Sequence, residues 1–349
     1  MRVGIITQPL YANYGGILQN YALQQVLIKM GHEPVTLDYM PSLSFGRYIL
    51  YAGKGILCAL FPNKRHPIKP YKHFLERPEK INAFVRNNIV LTKTIPDYTK
   101  RELEKYGIEA LIVGSDQVWR YSYNSHYIED MYLGFAKDFR CPKVAYGASF
   151  GVEQWNYPES RSEEVRKLAK QFNAVSVRED SGVALCRDGL GIEAVTVLDP
   201  TLLLKMSDYD KFCFAPTPYE QAYLAAYVLD ITEEKKDYIN KVAEAKGLKV
   251  KMMTVSEAGV SIEGWLSSIR NADYVITDSY HGSLFSIIFG KQFETLINTK
   301  RGADRFYSLF ARLSIQSQSV EYPIDYTSVY RELDKLREQS LLFLTSSLS

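Results

Sequence analysis

The stretch Asp278-Ser279-Tyr280-His281-Gly282 sits between two apolar runs. Residues 274–277 have the composition of a short buried strand, and 283–290 that of an apolar helix. A loop leading from a strand end into a helix is where unbonded N–H groups and the positive end of the helix dipole can hold an anion. His281 in that loop can give or take a proton beside a bound phosphate or carboxylate, because an unperturbed imidazole titrates at about pH 6.5. Ser279, Gly282 and Ser283 would then line the anion's side. A loop histidine that merely hydrogen-bonds its neighbours has the same sequence appearance, and both readings stand.

Other candidates share the strand-end position. Arg178 follows the apolar run 174–177, where a guanidinium can grip phosphate or carboxylate through paired N–H groups, or can form an ion pair with Glu179, Asp180 or another loop. Asn13-Tyr14-Gly15-Gly16 opens the first long helix, and its glycines either let a ligand approach the backbone or make a simple tight turn. In Ser115-Asp116-Gln117 the carboxylate can orient a sugar hydroxyl or cap the next turn. Arg301 and Arg305, four residues apart before another helix, would share one helical side suited to an anionic ligand, with a surface Arg-Asp network as the alternative. Neither the GxGxxG nor the GxxxxGK[ST] phosphate loop is present.

What must position these residues is a regular alternation of short apolar strands and amphipathic helices, the pattern of an α/β protein with parallel sheets. Strands are expected at 3–7, 34–38, 110–113, 144–146, 174–177 and 195–197, with helices at 16–30, 80–88, 163–172 and 181–189. After Asp199-Pro200 the pattern restarts: strand 223–228, helix 233–246, strand 249–254, helix 262–271, strand 274–277. Two domains follow, 1–205 and 206–328, joined through a segment carrying Pro216 and Pro218 and trailed by a helix at 329–349. Ligands of open parallel sheets bind beyond the carboxyl ends of the strands, so two such edges facing each other would form a cleft.

Composition excludes several classes. With 42 Lys and Arg against 40 Asp and Glu, the formal charge of +2 gives no field for nucleic acid, and no basic footprint or aromatic RNA motif is present. Cys58, Cys141, Cys186 and Cys213 lie far apart without a CxxC, which argues for reduced thiols and against a zinc site or disulfide framework. No signal-peptide pattern opens the chain and no run reaches the ~18 apolar residues of a membrane span, so a cytoplasmic location is expected. Residues 45–77 interleave seven basic residues with aromatics against one acid, Glu76. Such an insertion can rest on the anionic cytoplasmic face of a membrane, or be a solvated loop or folded subdomain.

Taken together, "NYGGILQNYALQQVL", "VGSDQVW", "YGASFG", "SVREDSG", "VLDPT" and "ADYVITDSYHGSLFSIIFG" resemble the blocks of polysaccharide pyruvyl transferases, in the same order. The resemblance implies two Rossmann-like domains with parallel sheets facing a central cleft, as in GT-B glycosyltransferases. It also implies transfer of the pyruvyl unit of phosphoenolpyruvate to two hydroxyls of a sugar as a cyclic ketal. His281 would be the general acid or base. Arg178, Ser279, Gly282, Ser283, Arg301 and Arg305 would hold the donor. Asn13, Tyr14, Gly15, Gly16, Ser115, Asp116 and Gln117 would face the acceptor, a sugar of a surface polysaccharide or its lipid-linked precursor. No metal or cofactor beyond the donor substrate is implied.

One departure matters. The family's Arg-Leu-His-Gly block reads Ser279-Tyr280-His281-Gly282 here, so its donor-binding arginine is missing. Either Arg301 or Arg305 substitutes, or the donor is not phosphoenolpyruvate. A nucleotide-sugar glycosyltransferase of the same fold and a non-catalytic glycan-binding relative are the competing readings, since a fold does not fix a function.

Overall fold

The computed structural model describes residues 1–39, 77–215, 221–253, 260–298, 302–315 and 323–349. Arg301, Pro216, Pro218 and the expected basic aromatic insertion, apart from Arg77, lie outside the described residues.

The first unit is built on β1 (Arg2–Ile6), β2 (Glu33–Thr36), β3 (Ala110–Asp116), β4 (Lys143–Ala148), β5 (Ala174–Val177) and β6 (Val195–Thr196). They pair in the order β2-β1-β3-β4-β5-β6, parallel throughout. The second unit contains β7 (Tyr223–Tyr227), β8 (Lys249–Met252), β9 (Tyr274–Thr277) and β10 (Phe293–Thr295), again all parallel, in the order β10-β9-β7-β8. Central strands such as β3 and β9 are buried along their whole length because helices cover both faces, which is why they read as continuous apolar runs. The two parallel sheets are those that the strand and helix alternation predicts, and they make the two Rossmann-like units that the family resemblance implies.

Helix α1 (Tyr14–Lys29) is not amphipathic, and it is buried on nearly every side. Its buried polar residues tie the first sheet together. The Gln19 side chain donates to Thr7 Oγ1 (3.0 Å) and accepts from Ser115 N (3.0 Å), joining the ends of β1 and β3. Gln24 donates to Thr36 Oγ1 at 2.9 Å. Each of these amides has a partner, as a buried polar group must.

One apolar cluster runs from one unit into the other, with Ile17 and Leu202 from the first unit packed in it together with Trp265 and Phe285 from the second. Helix α2 (Pro200–Leu203) packs on α1 at this junction. The long terminal helix α3 (Tyr326–Ser347) begins three residues earlier than expected and touches both units. Its Tyr330 Oη donates to Ile287 O (3.1 Å), while Ser340 Oγ accepts from Leu198 N (3.0 Å). Among the described residues no helix is long and apolar enough to cross a membrane.

Candidate active site between the two sheets

Each strand order reverses direction once, between β1 and β3 in the first sheet and between β7 and β9 in the second. Such switch points open a crevice beyond the strand ends. Here the two crevices face each other across one cavity of about 460 Å³. Its wall takes Gln8, Tyr11 and Asn13 from the turn after β1, and Asp116 and Gln117 from the end of β3. Tyr227 and Leu229 come from the end of β7, and Asp278 through His281 from the turn after β9. Arg305 completes it.

His281 is not in a loop, as the sequence suggested, but in the first turn of a helix that we label α4 (Tyr280–Ile288). The helix starts early because Ser279 caps it, its hydroxyl accepting from Gly282 N at 3.4 Å, while Ser279 N donates to Thr277 Oγ1 at 3.0 Å. The imidazole is 6% exposed, and its Nε2 lies 3.5 Å from Asp199 Oδ2, the outer limit of hydrogen-bond distance. On its other edge the ring meets the backbone of Gly15. A Cβ at that glycine would stand 2.0 Å from His281 Nδ1, so only glycine fits there.

Beneath the cavity lies a buried ionic cluster. The Arg178 guanidinium donates to Asp199 Oδ2 at 2.7 Å and to Asp116 Oδ1 at 3.2 Å, and its side chain is wholly enclosed. Arg178 is therefore not in the cavity wall, and the guanidinium that sequence reasoning assigned to the donor holds two carboxylates instead. Asp199 also caps α2, Oδ1 accepting from Thr201 N (3.0 Å) and Thr201 Oγ1 (2.8 Å). Asp116 adopts a left-handed backbone (φ 73°) and accepts from Asn13 Nδ2 at 3.2 Å.

The electrostatics follow from this packing. Burial alone would raise the Asp199 carboxyl, but contact with His281 and the charge of Arg178 hold it well below the usual range. At Asp116 burial is likewise outweighed, by the charges of Arg178, His281 and Arg305, leaving a lowered value. Glu179 goes the other way: burial raises it, and Arg178 offsets only part of the effect. Its Oε1 accepts from Phe150 N (2.9 Å) and Gly151 N (3.3 Å).

Arg305, in the first turn of helix α5 (Asp304–Arg312), does reach the cavity. Its guanidinium carbon lies 4.8 Å from the Tyr280 ring centroid, and that of Arg178 lies 5.4 Å from the same ring. Burial, then the nearby charge of Arg178, lowers the Arg305 value. Tyr280 thus stands within reach of two cations, in the segment where the family pattern carries an arginine.

Other expected site residues support the wall without forming it. Tyr14 Oη donates across the units to Val260 O at 2.5 Å, and Ser115 Oγ donates to Gly147 O at 3.0 Å. Gly16 lies against Asn13 and Asp116, Gly282 against Thr277, and the Ser283 hydroxyl is 2.9 Å from that of Thr295. Asp199 and Tyr280 were missed as site residues. The signal for Asp199 was its strand-end position in "VLDPT", the same signal that singled out Arg178. Among the described residues no group of His, Cys, Asp and Glu side chains is arranged to hold a metal.

Fold and cavity define an α/β protein of two Rossmann-like units with its site at their facing switch points. The profile of the polysaccharide pyruvyl transferase family matches residues 13–296, and the chain belongs to that family. No curated protein matches its sequence. Solved structures of similar outline include a putative UDP-N-acetylglucosamine 2-epimerase from Listeria monocytogenes, at 11% identity and TM-score 0.49 over 98% of this chain and 89% of the other. The UDP-GlcNAc 2-epimerase from Neisseria meningitidis bound to UDP-GlcNAc has 11% identity and TM-score 0.48 over 99% and 94%. A ugt transferase from Siraitia grosvenorii in complex with UDP has 10% identity and TM-score 0.44 over 99% and 95%.

Proposed function

We propose that the protein transfers the pyruvyl group of phosphoenolpyruvate to two hydroxyls of one sugar in a surface polysaccharide or its lipid-linked precursor. The observation that carries this reading is the meeting, at one cavity, of His281 backed by Asp199 with the cation Arg305. A proton donor and an anion-binding group are what an enol phosphate requires. Histidine protonates the methylene carbon, which becomes the methyl group, and the adjacent carbon becomes electrophilic. One sugar hydroxyl adds to that carbon and the second displaces phosphate from it. Of the two hydroxyl protons, one restores the histidine and the other leaves with phosphate.

Asp199 orients the imidazole, as a carboxylate behind a catalytic histidine does. Arg305 takes the place of the arginine absent at Ser279 and holds the donor's carboxylate or phosphate. Gln8, Asn13, Asp116 and Gln117 face the acceptor hydroxyls. The reaction belongs on the cytoplasmic side, where phosphoenolpyruvate is found.

Calorimetry with phosphoenolpyruvate, run beside a panel of nucleotide sugars, tests the reading. Saturable binding of phosphoenolpyruvate that is weakened in Arg305→Ala is the expected result. Binding of a nucleotide sugar in its place would make the protein a glycosyltransferase, and sugar binding indifferent to His281→Ala would make it a non-catalytic relative.

A further inference from the structure

A second cavity, of about 440 Å³, opens between the units and is separate from the wall that carries His281. The loop after β4 supplies Glu153, Gln154 and Asn156, and the start of α5 supplies Asp304 and Tyr307. Arg120 divides the two spaces. Its Nη1 donates to Gln117 Oε1 at 2.6 Å, and its guanidinium carbon lies 4.3 Å from the ring centroid of Tyr123, which belongs to the first cavity. Asp304 and Arg305 are adjacent in sequence yet serve different cavities, one each.

The chemistry of the second space differs from that of the first. Tyr307 is 50% exposed at its mouth, an aromatic surface that would otherwise cost free energy in water. Beside it, among the described residues, stand two side-chain amides, each with donors and an acceptor, and two carboxylates, of which Asp304 accepts from Ser181 Oγ, against one guanidinium that donates to Gln117. Two carboxylates against one guanidinium leave this described lining net negative, which disfavours phosphate. Amides, carboxylates and one open aromatic ring suit hydroxyl groups and the apolar face of a pyranose.

We propose that this cavity is a carbohydrate subsite that binds uncharged sugar units of an oligosaccharide whose reacting sugar occupies the His281 cavity. The inference rests on the pyruvyl-transfer reading for what happens in the first cavity, but not for the binding itself. It makes the acceptor a chain of sugars, which crosses from one space to the other over the Arg120–Tyr123 pair, and not a single nucleotide-linked monosaccharide.

The test is calorimetric titration of the full chain with cellotetraose, maltotetraose, laminaritetraose, xylotetraose and chitotetraose, each beside its monosaccharide. At least one tetraose is expected to bind tenfold or more tightly than its monosaccharide. Tyr307→Ala and Asn156→Ala should each remove tenfold or more of that affinity. No advantage of any tetraose over its monosaccharide, or an advantage that both variants retain, would overturn the subsite. Phosphoenolpyruvate titrated into Tyr307→Ala gives a separate readout: the subsite predicts unchanged donor binding, while loss of donor binding in the unsubstituted protein would strike at the pyruvyl-transfer reading and leave the tetraose result standing.

Discussion

Gly15, from the first unit, and His281, from the second, are in direct contact: the glycine backbone is the surface on which the imidazole rests, with no room for a Cβ between them. The first glycine of "NYGG" therefore makes room for a side chain from the other unit. Contact with Gly15 on one edge and Asp199 on the other fixes the ring between two pieces of the first unit.

Gly15→Ala displaces the ring from its place beside Asp199. A methyl forced into a filled site costs about 1–3 kcal/mol, and a misplaced catalytic group costs about 100-fold in rate. Donor-dependent phosphate release should fall by about that factor while thermal unfolding shows a folded protein. A variant with ordinary kcat would mean that the ring's position does not matter.

Asp199→Asn leaves Arg178 with one carboxylate partner and His281 with none. Breaking a buried pair costs about 3–5 kcal/mol. Because the native carboxyl is held below its ordinary range, its contribution is fully present above about pH 4 and fades as pH falls through the folded value. Denaturant titrations across pH should show the variant far less stable at pH 7, with the gap narrowing on acidification below pH 4.

Arg305→Ala removes the cation of the first cavity. Loss of a charge-assisted hydrogen bond to the donor should weaken phosphoenolpyruvate binding by about 10- to 100-fold. Arg305→Lys restores charge without the planar fork, and partial recovery is expected. Equal affinity in all three proteins would take Arg305 out of donor recognition.

Asp130, which opens a short 3₁₀ helix (Asp130–Tyr132) ahead of β4, is pushed up to about 6 by burial and by the negative charges of Glu129 and Asp97. An acid with a raised folded value binds its proton more tightly when folded, so its ionisation costs stability as pH climbs from about 4 towards 6. Asp130→Asn should be more stable than the unsubstituted protein at pH 8, by about 1 kcal/mol after allowing for solvent screening, and indistinguishable at pH 3.5. Greater stability of the unsubstituted protein at pH 8 would reverse the sign and refute the assignment.

Much of the scaffold is legible from local pattern. Strand β5 and strand β9 fall on the residues expected, because a fully buried parallel strand is a plain apolar run bounded by polar turns. Strand β3 runs three residues past its expected end, to Asp116, since Gly114 and Asp116 keep pairing with Tyr146 and Ala148. Apolar periodicity could not reveal that, because those residues are polar or small. The helix bearing His281 starts three residues early for a similar reason: Tyr280 and His281 are polar or amphipathic, yet both are buried. Least legible were the long-range partners. Nothing near Arg178 in the chain announces that Asp116 and Asp199 will occupy its guanidinium, because that pairing exists only once the ends of β3, β5 and β6 are gathered on one edge of the same sheet.

Helix α3 grips both partners of the His281–Asp199 pair at one remove. Ser340 holds the backbone of Leu198, next to Asp199, and Tyr330 holds the far end of the helix that carries His281 in its first turn. Between those two grips an α-helix rises by about 15 Å, a length fixed by its own hydrogen bonds. The terminal helix thus works as a gauge block: the spacing between acid and imidazole is set by a rigid rod that touches neither, so a residue inserted between Tyr330 and Ser340 would rotate one grip by about 100° against the other and put the pair out of register.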